Sequence, residues 1–196
     1  KEFLKTNDEK ILGELTKKHK FELDINQKNA WQEQIKILKK ILPNLDDGYV
    51  AFEFEIPRMG KRIDNVLIVD GVIFILEFKI GESAFQRMDK IQLEDYSLDL
   101  KSFHKGSHDK IIVPILVITN NDKLIDKNYD KAWDDVYKPI NATPKNIEEI
   151  ISFIIKKENV SKFDYDKWES LPYEPTPTII EAAKQHGVEI TNLCYN

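Results

Sequence analysis

The chain has 196 residues, of which 41% are hydrophobic and 10% aromatic, which is enough to bury the core of one domain. Its formal net charge of −5, with 32% charged residues of both signs, disfavours a simple basic nucleic-acid-binding module. Nothing approaches the roughly 18 consecutive apolar residues of a membrane span and no signal peptide opens the sequence, so we expect no membrane partner. The single cysteine, Cys194, excludes an internal disulfide or thiolate metal cluster and favours a reducing, cytoplasmic location.

The first half of the chain predicts a helix followed by three strands. The helix covers 29–42, where apolar side chains recur at helical spacing, and it ends before Pro43. Asp70-Gly71 predicts a hairpin turn between the second and third strands. In the first strand Glu53 and Glu55 fall on the polar face, where solvation is the simplest expectation, although they could support a metal site. The three strands cover 49–56, 62–69 and 72–79.

The second half predicts a helix, a buried strand, a polar loop and a further helix that begins at Thr143-Pro144. Pro114 within the strand predicts an edge position or a bulge. The helix covers 84–103, the strand 111–118 and the polar loop 120–138. We therefore predict an α/β (α+β) fold with a central mixed sheet flanked by helices. The predicted units are a polar, helical extension over 1–25, one domain over 26–170, and a proline-rich linker and tail over 171–196.

Two carboxylates and a lysine are predicted to meet where the second and third strands lie side by side. Glu77 and Lys79 are two residues apart on a strand, so they share a face, and the hairpin brings Asp64 near them. Charged groups on an apolar strand are costly unless they are paired or bound to metal. Carboxylate oxygens suit Mg²⁺ or Mn²⁺, so the pattern fits metal-dependent phosphodiester hydrolysis, although E-x-K taken alone is more often a structural Glu–Lys pair.

The stretch RIDNVLIVDGVIFILEFKIG resembles the PD-(D/E)XK nuclease superfamily, with Asp64 matching its second-strand acid and Glu77-Phe78-Lys79 its (D/E)-x-K motif. Gln92 and Tyr96 resemble the Q-x-x-x-Y motif of the RecB-like branch, and their spacing places them on one helix face. The resemblance implies a restriction-endonuclease-like core and a Mg²⁺- or Mn²⁺-dependent nuclease, for which DNA is favoured over RNA as the substrate. Asp64 and Glu77 would bind the metal, Lys79 would position water or stabilise charge, and Gln92 and Tyr96 would complete the pocket.

Further side chains are candidates for the same site. The superfamily often adds a residue from its first helix, for which Glu33 is the best candidate and Gln34 the alternative. Basic residues around the site could contact phosphates, although charged turns are usually just solvated. His104 and His108 lack a third metal ligand at a plausible spacing. The phosphate-contact candidates are Arg58, Lys61, Arg62, Lys101 and Lys105.

Residues 29–185 also resemble the N-terminal nuclease-like domain of bacterial proteins that carry a C-terminal superfamily 1-type helicase or ATPase. The resemblance implies a role in DNA processing, restriction or phage defence. The sequence contains no G-x-x-x-x-G-K-[ST] loop, so the motor itself is not in it. Two alternatives to an enzyme stay open: a nucleic-acid or partner-docking platform without catalysis, and a regulatory domain of an attached ATPase. A homodimer is possible, because two cuts need two sites.

Overall fold

The computed structural model describes residues 2–18, 24–45, 48–121 and 129–180, with the side chains of Lys18 and Trp133 excepted. Cys194 lies outside these ranges. The helices are α1 (Glu2–Lys5), α2 (Asp8–Lys18), α3 (Ile25–Ile41), α4 (Arg87–Phe103), α5 (Ile147–Glu158) and α6 (Tyr165–Trp168). The strands are β1 (Gly48–Ile56), β2 (Lys61–Val69), β3 (Val72–Lys79), β4 (Ile111–Ile118), β5 (Lys131–Trp133), β6 (Val136–Tyr137) and β7 (Ile140–Ala142).

One mixed sheet forms the centre of the domain, as the sequence predicts. Its order is β1-β2-β3-β4-β6-β5, with β7 also paired to β4. β1, β2 and β3 are antiparallel neighbours, whereas β3 and β4 run parallel over all eight of their residues. The β2–β3 hairpin turns at Asp70 and Gly71, which both have positive φ (48° and 81°), as an Asp-Gly turn requires.

Helices cover both faces of the sheet. α3 and α5 pack on one face, where their isoleucines and leucines meet the even-numbered residues of β3, Val72 to Phe78. α4 and α6 pack on the other face, against Ile73 and Ile75. Both faces of β3 are therefore buried, which explains its nearly continuous apolar sequence. Glu77 follows Ile75 in the alternation, so the strand directs it to the α4 side.

β1 does not keep the single apolar face that its sequence predicts. Val50 and Phe52 pack with the cluster under α3 and α5, whereas Phe54 and Ile56 pack with the cluster under α4. The change occurs at Glu53, whose φ of 53° lies in the left-handed region. A residue in that conformation breaks the pleat, so the alternation restarts on the opposite face.

Three predictions for the second half need correction. Pro114 lies in a central strand instead of an edge, in the interval between the pairing of Ile112 with β6 and that of Ile115 with β7. That interruption of the ladder accommodates a residue without an N–H. The loop predicted over 120–138 includes the short strands β5 and β6 in its described part. α5 begins later than Thr143-Pro144, at Ile147 after Asn146.

Both flanking segments contact the domain. In the predicted extension, Ile11 and Leu15 of α2 pack against Trp31 and Ile35 of α3. The predicted linker lies along the end of α4, where backbone hydrogen bonds join Glu174 to Phe103 and Thr176 to Ser102. The first part of this segment is therefore attached to the domain. Within the described ranges, no helix has the length and apolar character needed to span a bilayer.

Candidate active site

Asp64 and Glu77 lie at opposing positions where the β2–β3 ladder ends. The last paired residues are Asn65 and Leu76, so the next step of the register places Asp64 opposite Glu77. At this position a side-chain hydrogen bond replaces the backbone pairing of the two strands. Asp64 Oδ2 accepts a hydrogen bond of 2.8 Å from the Phe78 N–H. This bond fixes the acid beside the strand that carries Glu77 and Lys79.

The Lys79 ammonium is shared by two carboxylates from different elements. Its Nζ lies 3.2 Å from Glu77 Oε1 and 3.2 Å from Asp89 Oδ1. Asp89 belongs to the first turn of α4, so the lysine joins the end of β3 to the start of that helix. Asp89 was not predicted from the sequence, although its spacing of three residues from Gln92 could have indicated it.

Gln92 and Tyr96 reach the same carboxylate from α4. Gln92 Nε2 donates to Glu77 Oε1 at 3.3 Å and to the Tyr96 hydroxyl at 2.6 Å. The helical spacing of these two residues therefore aligns both side chains with β3, as predicted. Glu77 is only 6% exposed, and its Oε2 is buried without a hydrogen-bond partner among the described residues.

Burial makes the two acids hard to ionise. It raises the pKa of Asp64 well above its ordinary value, and the nearby Glu77 charge raises it further, against the stabilising Phe78 N–H. Burial also raises the pKa of Glu77, although the Lys79 ammonium opposes that shift. Burial disfavours the Lys79 ammonium, but the charges of Glu77 and Asp89 outweigh it and leave the pKa of Lys79 raised. The site therefore holds poorly solvated negative charge that a cation would stabilise.

Glu53 is held against α3 instead of lying on the solvated face expected for it. Its side chain is 18% exposed, and its Oε1 accepts hydrogen bonds from Trp31 Nε1 at 2.7 Å and Gln27 Nε2 at 3.2 Å. Its charge also contributes to the raised pKa of both Asp64 and Glu77. Glu55, in contrast, is exposed as predicted.

The predicted first-helix residues differ in their surroundings. Glu33 lies on the outside of α3, where its carboxylate is 3.6 Å from Lys36 Nζ in an exposed pair. Gln34 is 2% exposed and its Oε1 is buried without a hydrogen-bond partner in the described part of the chain. Among the described residues no hydrogen bond or ion pair joins either side chain to Asp64 or Glu77, and of the two only Gln34 is on the buried side of the helix.

Two of the basic side chains that were predicted to contact phosphates instead contact other residues of the protein. Arg58 Nε pairs with Asp99 Oδ1 at 2.9 Å, and its guanidinium stacks on the Phe103 ring at 3.6 Å. Lys101 is 2% exposed, its ammonium donates to the Lys110 carbonyl, and burial lowers its pKa. The prediction that Lys101 contacts a phosphate is therefore wrong, because the sequence pattern did not show that this position of α4 faces inward.

The other predicted basic residues are on the surface. Lys61 and Arg62 begin β2, two or three residues from Asp64, and Arg62 pairs with Glu53 at 3.4 Å. Lys105 follows α4 and pairs with Glu174 at 3.2 Å, at the opposite end of the helix from Asp89. Of the predicted phosphate contacts, Lys61 and Arg62 are therefore nearest in sequence to Asp64, and Lys105 lies further along the domain.

The donors present fit a hard divalent cation only in part. Asp64 and Glu77 supply two carboxylates, and Mg²⁺ typically takes one or two of these and completes its coordination with water and phosphate. The buried, unpartnered Oε2 of Glu77 is consistent with such a ligand. However, in the described ranges no three histidine, cysteine or acidic residues are grouped as a metal site. A cation here would therefore depend on two carboxylates and its own waters.

Comparison with protein-family models, with curated proteins and with solved structures gives no match to this chain.

Proposed function

We propose that this chain is a divalent-cation-dependent nuclease with a restriction-endonuclease-like core, which hydrolyses phosphodiester bonds in DNA more readily than in RNA. The observation that supports it most directly is the contact of Glu77 with Lys79 and Gln92, next to Asp64, on a buried strand. A structural ion pair needs one acid and one base, whereas this cluster places a second buried acid beside the first. The proposal is that a bound cation, and not only a proton on one of the acids, relieves the repulsion between them.

Asp64 and Glu77 are the residues that would hold Mg²⁺ or Mn²⁺. When bound, the ion supplies a bound water of lowered pKa and offsets the charge that develops on phosphorus. The Lys79 ammonium lies against Glu77, where it can donate to the attacking water or to a phosphate oxygen. Gln92 fixes the Glu77 carboxylate and is itself fixed by Tyr96, so α4 orients the acid while β3 carries it.

The surrounding charges explain why a cation would have to bind before the substrate does. Asp64, Glu77 and Glu53 are acidic, and with Asp89 they exceed the basic side chains of the cluster, Lys79 and Arg62. A phosphodiester would be repelled by this face in the metal-free protein. The proposal therefore predicts that chelation removes both cutting and tight substrate binding at the site.

The test is cleavage by the purified protein with Mn²⁺, with Mg²⁺ and with EDTA, on single- and double-stranded DNA and on RNA. We expect metal-dependent cutting that Lys79→Ala abolishes while circular dichroism stays unchanged. The matched control is Lys156→Ala, an exposed lysine on α5 that should cut as the wild type does. Cutting that survives Lys79→Ala, or no metal-dependent cutting of any substrate, would contradict the proposal.

A second candidate is a nuclease-fold platform that binds nucleic acid or a helicase-like ATPase without hydrolysis. The absence of a grouped three-ligand metal site from the described ranges favours it. Isothermal titration separates the two functions: under the nuclease proposal Mn²⁺ binds the wild type and Asp64→Asn loses that binding. A platform would bind nucleic acid equally with Mn²⁺ and with EDTA. An ATPase partner, a homodimer, a role in phage defence and a cytoplasmic location stay predictions.

A further inference from the structure

We infer that Glu53 is a positioning residue of the proposed cation site, which holds α3 and Arg62 around Asp64 and adds a third negative charge beside the Asp64–Glu77 pair. The inference rests on the proposed function and names a residue that the sequence pattern assigned to solvent. It does not make Glu53 a direct ligand, because the acids of the described ranges do not form a three-carboxylate group.

The backbone shows that Glu53 is held in an uncommon conformation. Its φ is 53°, in the left-handed region that residues other than glycine rarely adopt inside a strand. The register places it opposite Asp64, since Phe52 pairs with Asn65 and Phe54 with Ile63 on either side. From this position the negative charge of Glu53 acts on both Asp64 and Glu77. The distortion therefore occurs at the step of β1 that is adjacent to the proposed ligand.

The side chain is fixed by donors from two elements. Trp31 Nε1, on α3, donates at 2.7 Å, and the Trp31 side chain is fully buried. Gln27 Nε2, one turn earlier on the same helix, donates at 3.2 Å, and Arg62 of β2 lies 3.4 Å from the other oxygen. A carboxylate on a solvated strand face would not need such a set of partners. Glu53 thus connects the start of α3 to the residues that flank Asp64.

If Glu53 only attached α3 to the sheet, its negative charge would not be required. The amide oxygen of a glutamine can accept the same bonds from Trp31 and Gln27, so Glu53→Gln keeps the attachment of α3 and removes the charge together with the Arg62 contact. A negative charge a few ångströms from a bound divalent ion strengthens its binding even without direct coordination. The charge and the attachment can therefore be separated by one substitution.

The experiment is isothermal titration of Mn²⁺ into the wild type, Glu53→Gln and Glu55→Gln, without substrate. We expect the dissociation constant of Glu53→Gln to rise by about fivefold to tenfold. Glu55→Gln is the matched control, since Glu55 is exposed on the same strand, and its affinity should equal that of the wild type. An unchanged affinity in Glu53→Gln overturns this inference alone. If the wild type binds no Mn²⁺, the proposed cation site itself is overturned, and this inference with it.

A second pair of variants covers the case in which Glu53→Gln does not fold. Glu53→Asp and Glu53→Asn have nearly the same size, so the shortened side chain affects the Trp31 bond in both, and the two variants differ in charge and in one amide group. We expect Glu53→Asp to bind Mn²⁺ several-fold more tightly than Glu53→Asn. Equal affinities of these two variants would show that the charge has no role.

Discussion

Lys79 Nζ lies 3.2 Å from Asp89 Oδ1, and this ion pair joins the last residue of β3 to the first turn of α4. Lys79 also contacts Glu77, so its ammonium is held from two sides. The position of the proposed charge-stabilising group therefore depends on the helix as well as on the strand. An acid that the sequence pattern did not identify sets that position.

We expect Asp89→Ala to lower the cleavage rate by about tenfold to a hundredfold, because the loss of one anchor misplaces the Lys79 ammonium. The measurement is kcat at saturating Mn²⁺ and substrate. Asp95→Ala is the control, since Asp95 is exposed on the same helix. If the two variants cut equally fast, Asp89 does not position Lys79.

Asp64→Asn should stabilise the metal-free protein while it removes Mn²⁺ binding. In the folded chain the pKa of Asp64 is raised, so its ionisation costs stability, and this cost is full above the raised pKa and is lost as the pH falls from there to the ordinary pKa of about 4. In EDTA at pH 8 we expect the variant to have a free energy of unfolding higher by about 1 kcal/mol. This advantage should shrink as the pH is lowered towards about 4. Urea unfolding across that range measures it, and a variant less stable than the wild type at pH 8 would contradict the prediction.

Arg58→Ala should change the stability of the protein, whereas Lys61→Ala should change its binding of DNA. Arg58 is paired with Asp99 and stacked on Phe103, so its loss should lower the free energy of unfolding by about 1–3 kcal/mol and leave the salt dependence of DNA binding unchanged. Lys61 is exposed, so its loss should leave stability unchanged and reduce the slope of log affinity against log salt by about one. The measurements are urea unfolding and DNA titrations at several salt concentrations. A reduced slope in Arg58→Ala would restore it as a phosphate contact.

Tyr96→Phe should weaken the site without removing it. The hydroxyl accepts the 2.6 Å hydrogen bond that fixes the Gln92 amide, so its loss frees the amide that holds Glu77. We expect a loss of stability of about 1 kcal/mol and a decrease in kcat of less than tenfold. Gln92→Ala, which also removes the contact with Glu77, should decrease kcat further. Equal kcat values for Tyr96→Phe and the wild type would show that the hydroxyl does not orient the pocket.

The sequence predicted the strands and the central acids well because both depend on local periodicity. Alternation and an Asp-Gly turn are enough to place Glu77 and Lys79 on one face and Asp64 beside them. The helical spacing of Gln92 and Tyr96 similarly predicted their shared direction. Each of these features needs only a few consecutive residues and a regular backbone.

The sequence did not predict features that depend on an irregular backbone or on tertiary burial. The left-handed conformation of Glu53 reverses the faces of β1, and a pattern of alternating residues contains no sign of it. Lys101 has a charged side chain at a position of α4 that tertiary packing buries. Asp89 was missed because an acid in the first turn of a helix is common and needs no special explanation.

The parallel pairing of β3 with β4 also affects the order in which the domain can fold. These strands are separated in sequence by α4 and its connections, so they pair only after that long segment has closed. Contacts of such sequence separation slow folding, because chain entropy is lost before they form. Glu77 and Gln92 meet across this same unit. The proposed active site should therefore become complete late in folding, when the crossover closes, and not with the early β1–β2–β3 meander.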